Sequence, residues 1–186
     1  MISKKQRIPN DFYPTPVSVI EHFFDIYGYP KNMTILEPSA GNGNFINVIR
    51  QHDPTTTNTI DAIEIREEEK ENLLACADNV SIENFLSADL PKNKYDLVIG
   101  NPPFMYALEF VEKSLDIVKP DGKVIFLLRT AFLESKRRFD FWQKNKLTGL
   151  YTLSERPKFV GDSTDRTAYS WFVWDKASDR QIIEVI

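Results

Sequence analysis

One apolar run that stops at a rigid polar tip limits most strongly how this chain can fold. Residues 97–99, Leu-Val-Ile, have the composition of a strand that is covered on both faces. Gly100, Asn101 and two prolines follow the run. Glycine allows a sharp change of backbone direction, and the prolines fix φ and offer carbonyls without N–H groups. Asn101 is therefore predicted at the carboxyl end of a buried strand, where open α/β sheets bind their ligands.

This tip has the chemistry to hold an amino group on a flat ring. The side-chain oxygen of Asn101 and the carbonyl of Pro102 are hydrogen-bond acceptors, and Phe104 adds a flat apolar face. An exocyclic amine on an aromatic base fits both features. A strand-ending turn in any α/β protein is the alternative interpretation of the same four residues. The candidate catalytic residues are Asn101, Pro102, Pro103 and Phe104.

Strands and helices alternate along most of the chain. Helices are predicted over about residues 16–27, 43–49, 67–77, 107–118 and 131–144. Strands are predicted over about residues 34–38, 59–65, 80–85, 95–100, 123–128, 147–153 and 167–175. This alternation predicts an α/β fold with a mostly parallel, seven-stranded sheet and helices on both faces. No helix separates the last two strands, so the last strand is predicted to be antiparallel.

A turn that contains two glycines follows the first predicted strand and indicates a ligand at a helix N-terminus. Gly41 and Gly43 allow a ligand to approach the backbone closely, although the turn departs from the GxGxxG of nicotinamide enzymes. Glu64 lies 21 residues after Gly43, at the end of the next strand, where a carboxylate can bind a ribose diol. Asp89 is either an acceptor for an adenine amino group or a turn residue. Thr15 is predicted to cap the first helix.

Composition excludes several classes of protein. One cysteine and two histidines permit no internal disulfide and make a metal site improbable, so none is expected. No apolar run approaches the roughly 18 residues that span a membrane, and the first residues lack the apolar core of a signal peptide. We therefore expect a cytoplasmic protein without membrane contacts. The 186 residues fit one domain, and we expect residues 1–186 to form it.

Positive charge is concentrated in one part of an acidic chain. Residues 123–166 contain ten Lys/Arg and five Asp/Glu, which gives them a net charge of +5. The net charge of the whole chain is −4, so the other residues together carry −9. The total argues against a uniformly basic nucleic-acid binder. The local excess predicts either a basic face for phosphates or merely solvated surface.

Several segments together resemble one family. The segment ILEPSAGNGNF, residues 35–45, closely resembles the S-adenosylmethionine-binding turn of class I methyltransferases, especially those that modify adenine at N6. FYPTP, IEI, SADL, GNPPF and KPDGKVIFLL occur in the order and spacing of the gamma class of these enzymes. The aromatic-rich segments ERPKF, residues 155–159, and YSWFVWDK, residues 169–176, look most like those of small adenine methyltransferases of phages and mobile elements.

The resemblance implies a Rossmann-like methyltransferase domain that moves a methyl group from S-adenosylmethionine to the exocyclic amino group of adenine in nucleic acid, with DNA favoured over RNA. Thr15 and the glycine turn would hold the methionine part, Glu64 the ribose and Asp89 the adenine of the cofactor. Asn101 and Pro102 would hold the target amino group. The implied cofactor-binding residues are Tyr13, Thr15, Glu37, Pro38, Ser39, Ala40, Gly41, Gly43, Phe45, Glu64, Ile65, Asp89, Leu90 and Asn101.

The loop over residues 154–166 is expected to bind the substrate. Phe159 is its large aromatic residue, and we expect Phe104 and Phe159 to cover the two faces of the target base. The cations Arg156, Lys158 and Arg166 are expected to contact phosphates. The alternative is that Phe159 anchors the loop to the core.

One feature of the gamma class is missing from the sequence. Sequence-specific members carry a target-recognition domain after the catalytic core, whereas about eleven residues follow the last predicted strand here. We therefore expect no separate recognition domain, and relaxed specificity, an RNA substrate, or a partner or homo-oligomer that supplies recognition. Two other functions remain open, namely methylation of a protein glutamine amide or a guanine amino group, and a non-catalytic binding subunit with this fold.

Overall fold

A computed structural model describes residues 13–55, 57–159 and 167–186. The strands are β1 (Thr34–Glu37), β2 (Thr59–Glu64), β3 (Asn79–Ile82), β4 (Tyr95–Gly100), β5 (Val118–Arg129), β6 (Gly149–Thr152), β7 (Tyr169–Asp175) and β8 (Ile182–Val185). The α-helices are α1 (Val17–Tyr27), α2 (Asn44–Gln51), α3 (Lys70–Leu74), α4 (Ala107–Ile117) and α5 (Phe139–Lys144).

The strands form one sheet in the order β3-β2-β1-β4-β5-β7-β6-β8. Parallel pairing joins β3, β2, β1, β4 and β5, whereas β7 runs antiparallel to both β5 and β6. The strand order reverses between β1 and β4, so a topological switch point lies there. The predicted α/β class and the mostly parallel sheet are confirmed.

The predicted number of strands is wrong by one. The described residues form eight strands, because β8 pairs in parallel with the outer edge of β6. The antiparallel strand is therefore β7, the last but one in the chain. All four residues of β8 are exposed, so the strand lacks the alternation of buried and exposed positions from which a sequence pattern identifies a strand.

The central strands of the sheet are covered on both faces, which explains their continuous apolar sequences. Along β7, Trp171 and Val173 pack into one core cluster with α1 and α2. Phe172 and Trp174 pack into the other cluster with α4 and α5. Successive side chains of a strand point to opposite faces, so a strand between two cores must be apolar at every position.

Two predicted helical features are wrong. The segment predicted as a helix over residues 131–144 consists of two short 3-10 turns, Thr130–Leu133 and Lys136–Arg138, before α5 begins. Ser135 separates them with a φ of 102°, a left-handed value that an α-helix cannot contain. Thr15 does not cap α1, which begins at Val17 without a side-chain cap. Its hydroxyl bonds Asn101 instead.

Within the described part of the chain, no helix combines the length and the apolar character needed to cross a membrane.

Candidate active site

A cavity of about 600 Å³ opens at the carboxyl ends of β1 to β4, where the strand order reverses. Its volume lies within the roughly 300–1,000 Å³ typical of small-ligand pockets. Each of the four strands contributes the residues at or just after its end. We call this space the first cavity.

Most of the predicted cofactor-binding residues meet in the first cavity. The residues predicted from the sequence that line it are Tyr13, Thr15, Glu37, Pro38, Ser39, Ala40, Gly41, Phe45, Glu64, Ile65 and Asn101. Gly43 does not line it. This glycine has a φ of 78°, and a Cβ there would lie 3.0 Å from Sγ of Cys76. Gly43 is therefore needed for the turn into α2 and for close packing.

The residues predicted to bind the adenine of the cofactor lie outside the first cavity, and their role stays a prediction. Asp89 is exposed, and neither Asp89 nor Leu90 lines the first cavity. Strand β3 ends at Ile82, three residues earlier than predicted, so residues 83–86 occupy the end of the strand and line the cavity. The rule that ligands bind just after parallel strands identifies these residues once the strand end is known. Other lining residues that the sequence reasoning missed are Pro14, Asn42, Asn44, Arg66, Met105, Tyr106 and Phe110.

The side chain of Asn101 has a hydrogen-bond acceptor that pairs with no described residue. Its Nδ2 donates to Oγ1 of Thr15 at 3.0 Å and to the carbonyl of Tyr13 at 3.2 Å. A carbonyl only accepts, so these bonds fix which end of the amide carries the nitrogen. The oxygen, Oδ1, is buried and has no hydrogen-bond partner among the described residues. An unpaired buried acceptor costs about 1–3 kcal/mol, which a ligand that donates a hydrogen bond would recover.

Glu37 is a second buried residue with an oxygen that pairs with no described group. Its side chain is 2% exposed, and its Oε2 makes no hydrogen bond within the described part of the protein. Burial raises the pKa of Glu37 well above its ordinary value, and the nearby charge of Glu64 raises the pKa further. A cation in the first cavity would favour the charged carboxylate and reverse both effects.

Glu64 ties the glycine turn to the end of β2. One carboxylate oxygen accepts from the backbone N–H of Gly41 at 2.7 Å. The other accepts from the backbone N–H and Nε of Arg66, at 3.0 and 3.1 Å. The oxygen that accepts from Gly41 has made only one bond and can accept another, so Glu64 can also bind a hydroxyl of a ligand.

A smaller cavity of about 300 Å³ adjoins the first, because Tyr13 and Met105 line both. Phe104 and Arg129 also line it, and the guanidinium carbon of Arg129 lies 4.8 Å from the centre of the Phe104 ring. We call this space the second cavity. Its size suits one planar ring system, and its walls offer the aromatic face that a base requires. Pro102 is buried and lines neither cavity, whereas Pro103 lines the first.

Phe159 is predicted to lie open in the site and stack on the target base, but the structure buries its ring. Phe159 is 9% exposed and lines neither cavity. Its ring packs against Tyr169 at 5.0 Å, Tyr13 at 6.1 Å and Phe104 at 6.5 Å between ring centres. The geometry thus favours the alternative that Phe159 anchors its loop to the core.

The predicted phosphate contacts of the same loop stay predictions. Arg156 and Lys158 are exposed and line neither cavity. Arg166 lies outside the described residues.

Comparison with known proteins gives one similar sequence and many similar structures. The chain is 31% identical over 104 residues to the type II methyltransferase M.CvrRI of Paramecium bursaria Chlorella virus XZ-6E. The match covers 55% of this chain but only 27% of that protein, so the chain spans about a quarter of its relative's length. No family model matches the sequence.

Solved structures show that the fold is that of class I S-adenosylmethionine-dependent methyltransferases. The modification subunit of a type I restriction enzyme from Vibrio vulnificus YJ016 superposes with a TM-score of 0.72 at 18% identity, over 94% of this chain and 47% of that one. A Listeria monocytogenes protein, described as a class I S-adenosylmethionine-dependent methyltransferase, gives 0.69 at 15% identity, over 98% and 68%. A Pyrococcus horikoshii protein, described as an RNA methyltransferase, gives 0.68 at 18%, over 94% and 92%. The cofactor expected from the sequence agrees with the one named for the Listeria protein.

Glu37→Gln is expected to stabilise the protein near pH 7, because Gln fills the same space without a charge to bury. Folding raises the pKa of Glu37. The contribution of Glu37 to the free energy of unfolding is therefore fully present below the pKa of this group in the unfolded chain, and it is lost as the pH rises through the pKa of the group in the folded protein. Urea unfolding of both proteins should give similar free energies below about pH 4 and a growing advantage for the variant above it. Glu68→Gln, at an exposed position, is the control. Free energies of unfolding that change with pH in parallel for wild type and Glu37→Gln would contradict the raised pKa of Glu37.

Phe159→Ala is expected to lower the free energy of unfolding by about 3–5 kcal/mol, because it empties a space between three rings. Urea unfolding at constant slope measures the loss. Phe139→Ala is the matched control, since the Phe139 side chain is 61% exposed and its loss should cost little. A Phe159→Ala protein that keeps its stability and binds nucleic acid weakly would instead restore Phe159 as a base-stacking residue.

Proposed function

We propose that this chain binds S-adenosylmethionine in the first cavity and transfers its methyl group to the exocyclic amino group of adenine in nucleic acid, with DNA favoured over RNA. The observation that carries the proposal is Asn101. Its amide lines the first cavity next to the second, and its buried oxygen lacks a hydrogen-bond donor among the described residues. An amino group on a base in the second cavity would supply that donor.

The residues of the first cavity fit the proposed cofactor. The buried carboxylate of Glu37, whose Oε2 has no partner in the part of the chain that the structure describes, suits a ligand that brings positive charge. Glu64 holds the glycine turn and keeps one acceptor site for a ribose hydroxyl. Phe85 and Phe110 line the cavity near the end of β3 and offer rings for the adenine of the cofactor. When bound, S-adenosylmethionine supplies a methyl group that its sulfonium already activates.

The chain would contribute alignment and hydrogen bonding to the methyl transfer. An adenine amino group is a poor nucleophile, because its lone pair is delocalised into the ring. Two acceptors, Oδ1 of Asn101 and the carbonyl of Pro102, would favour a tetrahedral nitrogen and expose the lone pair. Acceptors that are held in place before the reaction need no reorganisation during it.

The target base would stack on Phe104. Phe104 lines the second cavity, and stacking of a base on an aromatic ring contributes about 1–3 kcal/mol. A base in a duplex is out of reach of such a cavity, so it must be flipped out of the helix or taken from a single strand.

The comparisons support a nucleic-acid substrate and a partner. M.CvrRI is described as a type II methyltransferase, and the protein from Vibrio vulnificus as a subunit of a type I restriction enzyme. We propose that a partner protein, or a second copy of this chain, supplies target recognition. RNA is the second candidate substrate, because the neighbour described as an RNA methyltransferase matches over nearly all of both chains.

Asn101→Ala is expected to reduce the rate of methyl transfer to adenine at least about a hundredfold, the scale for losing one preorganised polar group. Single-turnover transfer from labelled S-adenosylmethionine to an adenine-containing oligonucleotide measures the rate. Cofactor affinity, measured by calorimetry, should change by less than about tenfold, because several other residues line the first cavity.

Asn72→Ala is the matched control, since Asn72 is exposed on α3 and its amide bonds only Glu69 among the described residues. Its transfer rate should equal that of the wild type. A near-normal rate in Asn101→Ala would remove Asn101 from the chemistry and leave the proposed function without its main support.

A further inference from the structure

One lysine of α4 holds the wall of the first cavity that follows β3. The ammonium of Lys113 donates to the carbonyl of Phe85 at 2.6 Å and to the carbonyl of Ala88 at 2.5 Å. Both acceptors belong to residues 83–88, which we call the β3 loop. Residues 83–86 of this loop line the first cavity, whereas Lys113 does not. Lys113 therefore acts on the cavity through the β3 loop.

The two carbonyls lie at the end of a helical turn, where acceptors are poorly satisfied. The backbone N–H groups of Ser87 and Ala88 both donate to the carbonyl of Asn84, each at 3.0 Å. Within this turn, the carbonyl of Phe85 accepts only a longer bond, of 3.3 Å from the N–H of Ala88. The last carbonyls of a helical segment need partners from outside it, and a lysine side chain is one such partner. Because Lys113 comes from α4, its two bonds tie the β3 loop to that helix.

Lys113 also fixes the ring of Phe85. Its Nζ lies 5.0 Å from the centre of that ring, within the range of a cation–π contact, and the ring of Phe110 packs against Phe85 at 4.9 Å. Phe110 precedes Lys113 by three residues on α4, so both project from one face of the helix. Phe85 and Phe110 line the first cavity, and Phe85 is 2% exposed. One face of α4 therefore determines where the Phe85 ring lies.

Two carboxylates favour the charged form of Lys113. Partial burial lowers the pKa of Lys113, whereas the charges of Glu83 and Asp89 act in the opposite direction. Glu83 begins the β3 loop and Asp89 follows it, so the ammonium attracts the loop at both ends. A neutral side chain of similar length would lose this attraction and both charge-assisted hydrogen bonds.

We propose that Lys113 is a positioning residue for the adenine of S-adenosylmethionine, because it sets the β3 loop and the Phe85 ring in the place where they bind the cofactor. The inference rests on the proposed place of the cofactor in the first cavity. Helix α4 follows directly on the turn Phe104–Tyr106, next to the tip of β4. It thus joins the tip, where the methyl acceptor would bind, to the wall that would bind the adenine of the cofactor.

Lys113→Met removes the charge and the donors of the side chain and keeps most of its length. Its affinity for S-adenosylmethionine, measured by calorimetry, should fall at least about tenfold, because the wall loses two bonds from a charged group. Single-turnover methyl transfer at saturating cofactor should stay within about threefold of the wild-type rate, as expected when only binding is weakened. An unchanged affinity, or a rate that falls as far as the affinity, would overturn the proposal.

A second ligand locates the effect within the cavity. 5′-Methylthioadenosine has the adenine and the ribose of the cofactor without its amino-acid part. The affinity of Lys113→Met for this ligand should fall by the same factor as its affinity for S-adenosylmethionine, because the β3 loop would contact the nucleoside end of both. A loss confined to S-adenosylmethionine would place the effect at the methionine end and contradict the assigned role.

Two further variants serve as controls. Lys113→Arg keeps a charge, donors for two carbonyls and a group that stacks on a ring, so it should retain most of the wild-type affinity for both ligands. Lys92→Met makes the same chemical change at an exposed lysine that pairs with Asp116, also on α4, and should change neither affinity. Circular dichroism establishes that each variant is folded. If Lys113→Met is not, Lys113→Gln, which keeps a donor without the charge, decides by the same two affinities.

Binding by the wild-type protein distinguishes failure of the inference from failure of the proposed function. If the wild type binds both ligands and the Lys113 variants bind them equally well, the role of Lys113 is wrong and the proposed function stands. If the wild type binds neither ligand, the proposed function is wrong and the role of Lys113 is wrong with it. If the wild type binds both but methylates no adenine, the proposed transfer is wrong, and the two affinities still decide the role of Lys113.

Discussion

The candidate site depends on hydrogen bonds that join distant parts of the chain at the tip of β4. The amide nitrogen of Asn101 donates to Thr15 and to the carbonyl of Tyr13, residues that precede it by 86 and 88 positions. Asn44, at the start of α2, donates to the carbonyl of Thr15 at 2.8 Å. These bonds place the segment before α1 against the ends of β1 and β4, and they bring Tyr13 to the boundary of the two cavities. They also leave the oxygen of Asn101 as the end of the amide that has no partner within residues 13–55, 57–159 and 167–186.

The same region concentrates groups that burial disfavours. Glu37 is a carboxyl with a raised pKa, and Asn101 carries an acceptor that no described residue pairs with. The central strands beneath them are covered by apolar side chains on both faces. Such groups lower stability and are maintained where they serve binding or catalysis. A ligand that is cationic near Glu37 and donates a hydrogen bond near Asn101 would satisfy both. This coincidence of a buried carboxyl and a buried amide oxygen, neither with a partner among the described residues, is the physical basis of the proposed function.

The sequence predicted the parts of the structure that follow from local rules. Apolar runs and glycine turns located β1, β4 and their ends, and parallel strands bring their carboxyl ends together, so Glu37, Gly41 and Asn101 meet as expected. The misses depend on tertiary contacts. β8 is exposed and held by backbone pairing with β6, and the helix predicted before β6 is broken at Ser135. Asp89 lies beyond the cavity because β3 ends early, and the burial of Phe159 and the stacking of Arg129 on Phe104 follow from packing between distant segments.

The most direct test of the account is the identity of the methylated product. Purified protein is incubated with methyl-labelled S-adenosylmethionine and, in parallel, with DNA, RNA and protein substrates, and the labelled residue is identified by mass spectrometry after digestion. The account predicts label on the exocyclic nitrogen of adenine in nucleic acid, with more in DNA than in RNA. Label on a protein glutamine or on guanine, or no transfer by a protein that binds the cofactor, would contradict it.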